Sequence, residues 1–182
     1  MSKIKIILIH GNGGATINNF WYSYVKNAFE QRGLKVVART FPDNVLARSS
    51  SWLPFLEHEL KADEHSILIG HSSGALAAMK YAENHKILGS VLVGTYWTHM
   101  GIETEKASGY FDSSWQWEKI KKNQKWSMVF ASHDDPYIPI EEQRFVAENL
   151  DSEYHEYEDK GHFMDVEFDD LVATVLRKIK PY

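Results

Sequence analysis

The run Ile67-Leu68-Ile69-Gly70-His71-Ser72-Ser73-Gly74-Ala75 constrains this chain more than any other stretch. Apolar residues that read as a strand enter the pattern G-x-S-x-G and leave through Ala75, Ala77 and Ala78, which read as a helix. A strand that turns sharply into a helix holds the middle residue of the turn in a strained backbone conformation and lifts its side chain out of the sheet edge. Residues two before and two after it must then be very small, and Gly70 and Gly74 meet that need. Taken alone, G-x-S-x-G also fits a Gly/Ser-rich loop. The strand before it and the alanine-rich helix after it single out the turn. Ser73 competes for the apex only in a shifted frame, which has no glycine two residues earlier.

The rest of the chain extends this strand–helix unit. Residues 4–9, 34–38, 66–69, 90–93, 126–131 and 153–157 read as strands, and residues 17–31, 52–61, 75–84, 140–149 and 166–180 as helices. The alternation predicts an α/β fold: a mostly parallel six-stranded sheet flanked by helices on both faces. Gly33 is placed to stop the first helix and Pro139 to precede another. The 182 residues suit one domain, long enough to bury roughly 70% of the unfolded surface without disulfides or metal. There is no cysteine, so disulfides, thiolate metal sites and a cysteine nucleophile are excluded. The net charge of −5 and the lack of a long basic block argue against nucleic acid as a partner. No apolar run approaches the length of a membrane span. Residues 1–10 carry two lysines and a short Ile/Leu run without a small-residue cleavage site, and read as a strand rather than a leader. A cytoplasmic location is the expectation.

A serine at such a turn needs a base, and the base needs an orienting acid. In this architecture the partners follow in the order serine, acid, histidine. Of nine histidines, His162 stands just after the last strand, on the sheet edge that carries Ser72. His99 and His133 share that edge but come before or with the acid. His58, His65, His85 and His155 read as solvated. The acid should follow the fifth strand, where Asp134 and Asp135 adjoin Pro136. Asp135 is preferred because the proline holds it extended; Asp134 is the alternative, or else a turn residue. An oxyanion needs preorganised donors. The backbone N–H groups of Ser73 and Asn12 are the candidates, the latter in the loop His10-Gly11-Asn12-Gly13-Gly14, with Gly13 as second choice. That loop is not a dinucleotide fingerprint, since Thr16 stands where the third glycine belongs. No metal-ligand pattern appears, so neither metal nor cofactor is expected.

Residues 95–125 depart from the alternation and are rich in aromatics. A long insertion after a strand commonly covers something. A small cap or pocket wall is expected there, with Tyr96, Trp97, Tyr110, Trp115 and, from the His162 loop, Phe163 as candidate lining residues. Plain core packing is the alternative for each.

These residues resemble the retinoblastoma-binding protein nine family of compact serine hydrolases. The shared features are the loop at Gly11, Trp52-Leu53-Pro54-Phe55, the run at Gly70, Ala107-Ser108-Gly109-Tyr110-Phe111, Trp115-Gln116-Trp117-Glu118-Lys119-Ile120, Asp134-Asp135-Pro136 and Gly161-His162-Phe163. The resemblance implies the compact α/β-hydrolase fold, with its strands in the order 2-1-3-4-5-6 and without a large lid, a triad of Ser72, Asp135 and His162, and activity on small esters or amides, aminoacyl ones among them. It departs at one motif: where vertebrate members carry L-x-C-x-E, this chain has Leu60-Lys61-Ala62-Asp63-Glu64. Ala62 in place of the cysteine puts retinoblastoma-protein binding in doubt. The rival readings are a catalytically weak binding protein on the same fold and an acyltransferase.

Overall fold

The computed structural model describes residues 4–179. The strands are Lys5–Ile9 (β1), Lys35–Ala38 (β2), Ser66–His71 (β3), Gly89–Val93 (β4), Ser127–Ser132 (β5) and Glu153–Tyr157 (β6). They form one six-stranded sheet in the order β2-β1-β3-β4-β5-β6, parallel at every pairing. The register sets Ile9 beside Gly70 and His71 beside Val93, so β1, β3 and β4 end together at one edge.

Strand alternation sorts the core into two layers. Ile7, Ile9, Leu68, Leu92 and Val129 point to one face; Ile6, Leu8, Ile67, Ile69 and Val91 point to the other. Each such side chain contributes roughly 1.5–3 kcal/mol by leaving water. The first face is covered by Ser49–Pro54 (α2), Ser73–Ala82 (α3), Trp117–Lys122 (α5) and Ile140–Asn149 (α6). The second is covered by Tyr22–Glu30 (α1) and Asp169–Ile179 (α7). A short helix, Glu103–Lys106 (α4), lies between β4 and α5. No helix among the described residues is long and apolar enough to cross a membrane.

Helix α1 starts five residues later than its apolar pattern predicts, for a local reason. The Asn19 side chain accepts hydrogen bonds from the N–H and hydroxyl of Thr16, closing a turn, and Phe20 adopts φ 47°. A left-handed residue cannot continue a right-handed helix. Gly33, at φ 76°, ends α1 as expected. The predicted helix over 52–61 is instead α2 followed by a π-helical stretch, Phe55–Glu59. Pro54 has no N–H to give, and the helix widens just after it. Helix α7 begins at Asp169, three residues late, with Asp169 and Asp170 at its positive end. The predicted end of that helix at Lys180, and residues 1–3 of the N-terminal reading, lie outside the described residues.

Candidate active site

Ser72 occupies the apex between β3 and α3 with φ 55° and ψ −121°. Close packing accounts for the two glycines. A methyl group on Gly70 would lie 2.2 Å from the Gly74 carbonyl oxygen. One on Gly74 would lie 2.3 Å from the carbonyl oxygen of Ile9. Gly70 is thus needed for the turn itself, and Gly74 for packing α3 against β1. Ser72 opens onto a cavity of about 830 Å³ that His162 also lines.

His162 is held from several sides. Its Nδ1 lies 2.7 Å from Oδ2 of Asp135, whose side chain is fully buried. The other Asp135 oxygen accepts the N–H groups of Tyr137 (2.9 Å) and Ile138 (3.0 Å). A carboxylate only accepts, so Nδ1 carries the imidazole proton and Nε2 is left with its lone pair. Gly94, at φ 56°, makes room for the ring: a methyl group there would sit 3.2 Å from it. Asp134 has a different task. Its Oδ1 accepts the Ser132 hydroxyl (2.7 Å) and the Gly161 N–H (2.7 Å), tying the end of β5 to the loop that carries His162. Those bonds, the Ser132 hydroxyl first, hold the Asp134 carboxyl below its usual range.

Behind the imidazole lies a second, buried histidine. Nε2 of His71 donates to the His162 carbonyl (2.7 Å), and Nδ1 accepts the Tyr22 hydroxyl (2.7 Å). Burial first, and then the neighbouring His162, push the pKa of His71 down to about 3, so it remains neutral. The indole N–H of Trp21 donates to the next carbonyl, that of Phe163 (2.9 Å). Among the described residues the Ser72 hydroxyl has no hydrogen-bond partner, His162 included. Nucleophile–base contacts are often long until substrate engages.

The loop after β1 faces Ser72 from the other side. The N–H groups of Gly13 and Gly14 are engaged by the carbonyls of Val45 and Asn44 (3.0 Å each). Gly13, the second choice as a donor, is therefore not free. The Asn12 N–H has no partner among the described residues, and the Ser73 N–H, first in α3, has none within the helix. The Asn12 side chain donates from Nδ2 to Oε1 of Glu105 (2.8 Å). Oε2 of Glu105 accepts the Tyr96 hydroxyl (2.7 Å), which contacts Ser73 Oγ at 3.1 Å. Burial, reinforced by the Glu105 carboxylate, raises the Tyr96 phenol well above its usual range.

The candidate pocket aromatics divide. Tyr96 lines the cavity; Trp97, Tyr110, Trp115 and Phe163 do not. Tyr110 and Trp115 are buried in the core layer that covers the first face, and Trp97 packs against it and stacks on Phe145 at 4.1 Å. Phe163 is buried in the opposite layer against Phe168. For these four, large apolar area wins over site lining, and residues 95–105 contribute Met100, Ile102, Thr104 and Glu105 instead. The sequence reading also missed His71, Tyr22, Trp21 and Glu105. The one signal for His71 was its position inside G-x-S-x-G.

A family profile described as serine hydrolase matches residues 6–170. The chain is 45% identical to serine hydrolase RBBP9 of Rattus norvegicus over 182 residues, 99% of this chain and 98% of that protein. Among solved structures, the ydeN gene product of B. subtilis matches with a TM-score of 0.87 at 21% identity, over 96% of this chain and 98% of that one. An esterase from Exiguobacterium antarcticum matches with a TM-score of 0.72 at 14% identity, over 98% and 92% of the two chains. At such identities the structural likeness speaks for the fold alone.

Proposed function

The chain belongs to the serine hydrolase family and has its α/β-hydrolase fold, and on that premise we propose that Ser72, His162 and Asp135 cleave small esters or amides through an acyl-enzyme. The observation that carries the reading is the 2.7 Å bond from His162 to the buried Asp135, made on the wall of the cavity onto which Ser72 opens. The bond fixes the tautomer of the neutral ring, so that the lone pair a base needs is on Nε2.

In the proposed cycle Ser72 Oγ attacks the substrate carbonyl carbon while His162 Nε2 takes the hydroxyl proton. The carbonyl oxygen becomes an oxyanion and is met by the N–H groups of Asn12 and Ser73. As the intermediate collapses, the carbon–oxygen or carbon–nitrogen bond breaks and His162 returns the proton to the leaving group. Water, deprotonated by the same Nε2, then releases the acid and restores Ser72. Asp135 holds the tautomer throughout and stabilises the imidazolium.

The cavity's polar floor and apolar mouth suit a compact, partly apolar substrate. Val45, Ile102, Tyr137 and Met164 ring the mouth and are among the large apolar side chains that remain exposed. Ala62 in place of the motif cysteine and the buried Leu60 side chain both speak against retinoblastoma-protein binding through this segment. A fluorophosphonate probe tests the nucleophile: wild type should be labelled and Ser72→Ala should not. Equal labelling of the two would remove Ser72 from the mechanism. A panel of small esters and aminoacyl amides then ranks the substrate class.

A further inference from the structure

Glu105 sits on the short helix α4, is only 6% exposed, and is paired with no cation among the described residues. Burying a carboxylate without a counter-charge is costly, so its retention calls for a physical reason. Its hydrogen bonds supply one. Oε1 accepts from the Asn12 side chain, and Oε2 accepts from Tyr96. The Tyr96 proton is thereby committed to Glu105, so the Ser73 hydroxyl is the donor in its contact with the tyrosine oxygen. One carboxylate thus reaches both residues whose backbone N–H groups are proposed to meet the oxyanion. Asn12 is on the loop after β1 and Ser73 is at the start of α3; the β1–β3 register and the Gly74 contact bring these two elements together, and the Glu105 bonds add a direct tie between the two residues themselves.

We infer that Glu105 is a positioning residue that fixes the two oxyanion donors relative to each other, through Asn12 on one side and through Tyr96 and Ser73 on the other. The inference rests on the proposed acyl-enzyme reading. Glu105 exchanges no proton with substrate in this role. Its effect is to keep two N–H vectors converged before the oxyanion forms, so it acts on the transition state more than on substrate binding.

The test compares wild type, Glu105→Ala, Glu105→Gln and Tyr96→Phe on a neutral substrate, 4-nitrophenyl acetate, and a cationic one, alanine 4-nitroanilide, with thermal melting to verify folding. Glu105→Ala is expected to lower kcat on both substrates about 10–100-fold while KM moves by less than about threefold. Its fluorophosphonate labelling should slow in parallel, since that reaction also builds negative charge on an oxygen. Glu105→Gln should recover most of the loss, because its amide oxygen can accept from Asn12 and its amide N–H can donate to Tyr96. Tyr96→Phe cuts only the Ser73 arm and should fall between wild type and Glu105→Ala. If Glu105→Ala fails to fold, the Gln and Phe variants still decide. A folded Glu105→Ala, or a Tyr96→Phe, with wild-type kcat would overturn the inference. So would a glutamine variant as impaired as the alanine one, or a defect confined to the cationic substrate, which would make Glu105 a receptor for the substrate's charge. Labelling of Ser72→Ala would instead sink the underlying mechanism, whatever the Glu105 variants do.

Discussion

The two halves of the site are held in place by different physics. Ser72 is positioned by sterics: a left-handed apex whose flanking glycines touch backbone at distances no side chain tolerates. His162 is positioned by polar bonds, with Asp135 on its ring, His71 on its carbonyl, and Asp134 on the N–H of the preceding Gly161. A steric mount is all-or-none, because close-packed backbone has nowhere to go. A bonded mount is graded, because each bond can be removed separately.

Three experiments can break or sharpen that contrast. The largest effect is expected at the bond that orients the imidazole. Asp135→Asn should leave the fold intact and lower kcat by about 10⁴-fold, because an amide favours the wrong tautomer; steady-state kinetics on a folded variant with near-normal turnover would break the proposed pairing. Next is the steric mount. Gly74→Ala should destabilise the protein by about 3 kcal/mol or more, since the new methyl meets the carbonyl oxygens of Ile9, at the end of β1, and of His10 just after it. Urea unfolding that shows an unchanged midpoint would mean the contact can relax. The smallest effect is the acid sensitivity of the bonded side. With the His71 pKa near 3 in the fold and about 6.5 when unfolded, the unfolded chain binds the extra proton between those values. Stability conferred by neutral His71 is therefore complete above about pH 6.5 and is lost as pH falls through that window. Between pH 7 and 5 wild type should lose on the order of 1–2 kcal/mol more than His71→Gln. Parallel urea-midpoint curves for the two proteins would assign the acid sensitivity elsewhere.

The same contrast separates what could be read in the sequence from what could not. Steric demands leave a local signature, which is why Gly70, Ser72 and Gly74 stand out in one line of sequence. The parallel character of the sheet was equally legible, since buried strands such as β3 and β4 carry largely apolar runs between helical stretches. Hydrogen-bond partners carry no such mark. Tyr22 and His71 are separated by 49 positions and Trp21 and Phe163 by 142, and no period or spacing links them. Glu105 was hidden for another reason: in the segment Glu103–Lys106 it looks like any solvated helix charge, and only the fold turns it inward. The aromatics misled in the opposite sense. Trp97, Tyr110 and Trp115 drew notice as pocket candidates, yet their size makes them most useful where water is absent.

The paired clamp on consecutive carbonyls, His71 on residue 162 and Trp21 on residue 163, has a mechanical corollary. The main chain beneath the imidazole cannot retreat, so the ring can pivot but its pivot cannot travel. If a bulkier guest is to enter, the yielding wall has to be the opposite one, where Val45 and Ile102 stand half in solvent. Breadth of substrate would then be tuned on that far bank, leaving the proton-handling side untouched.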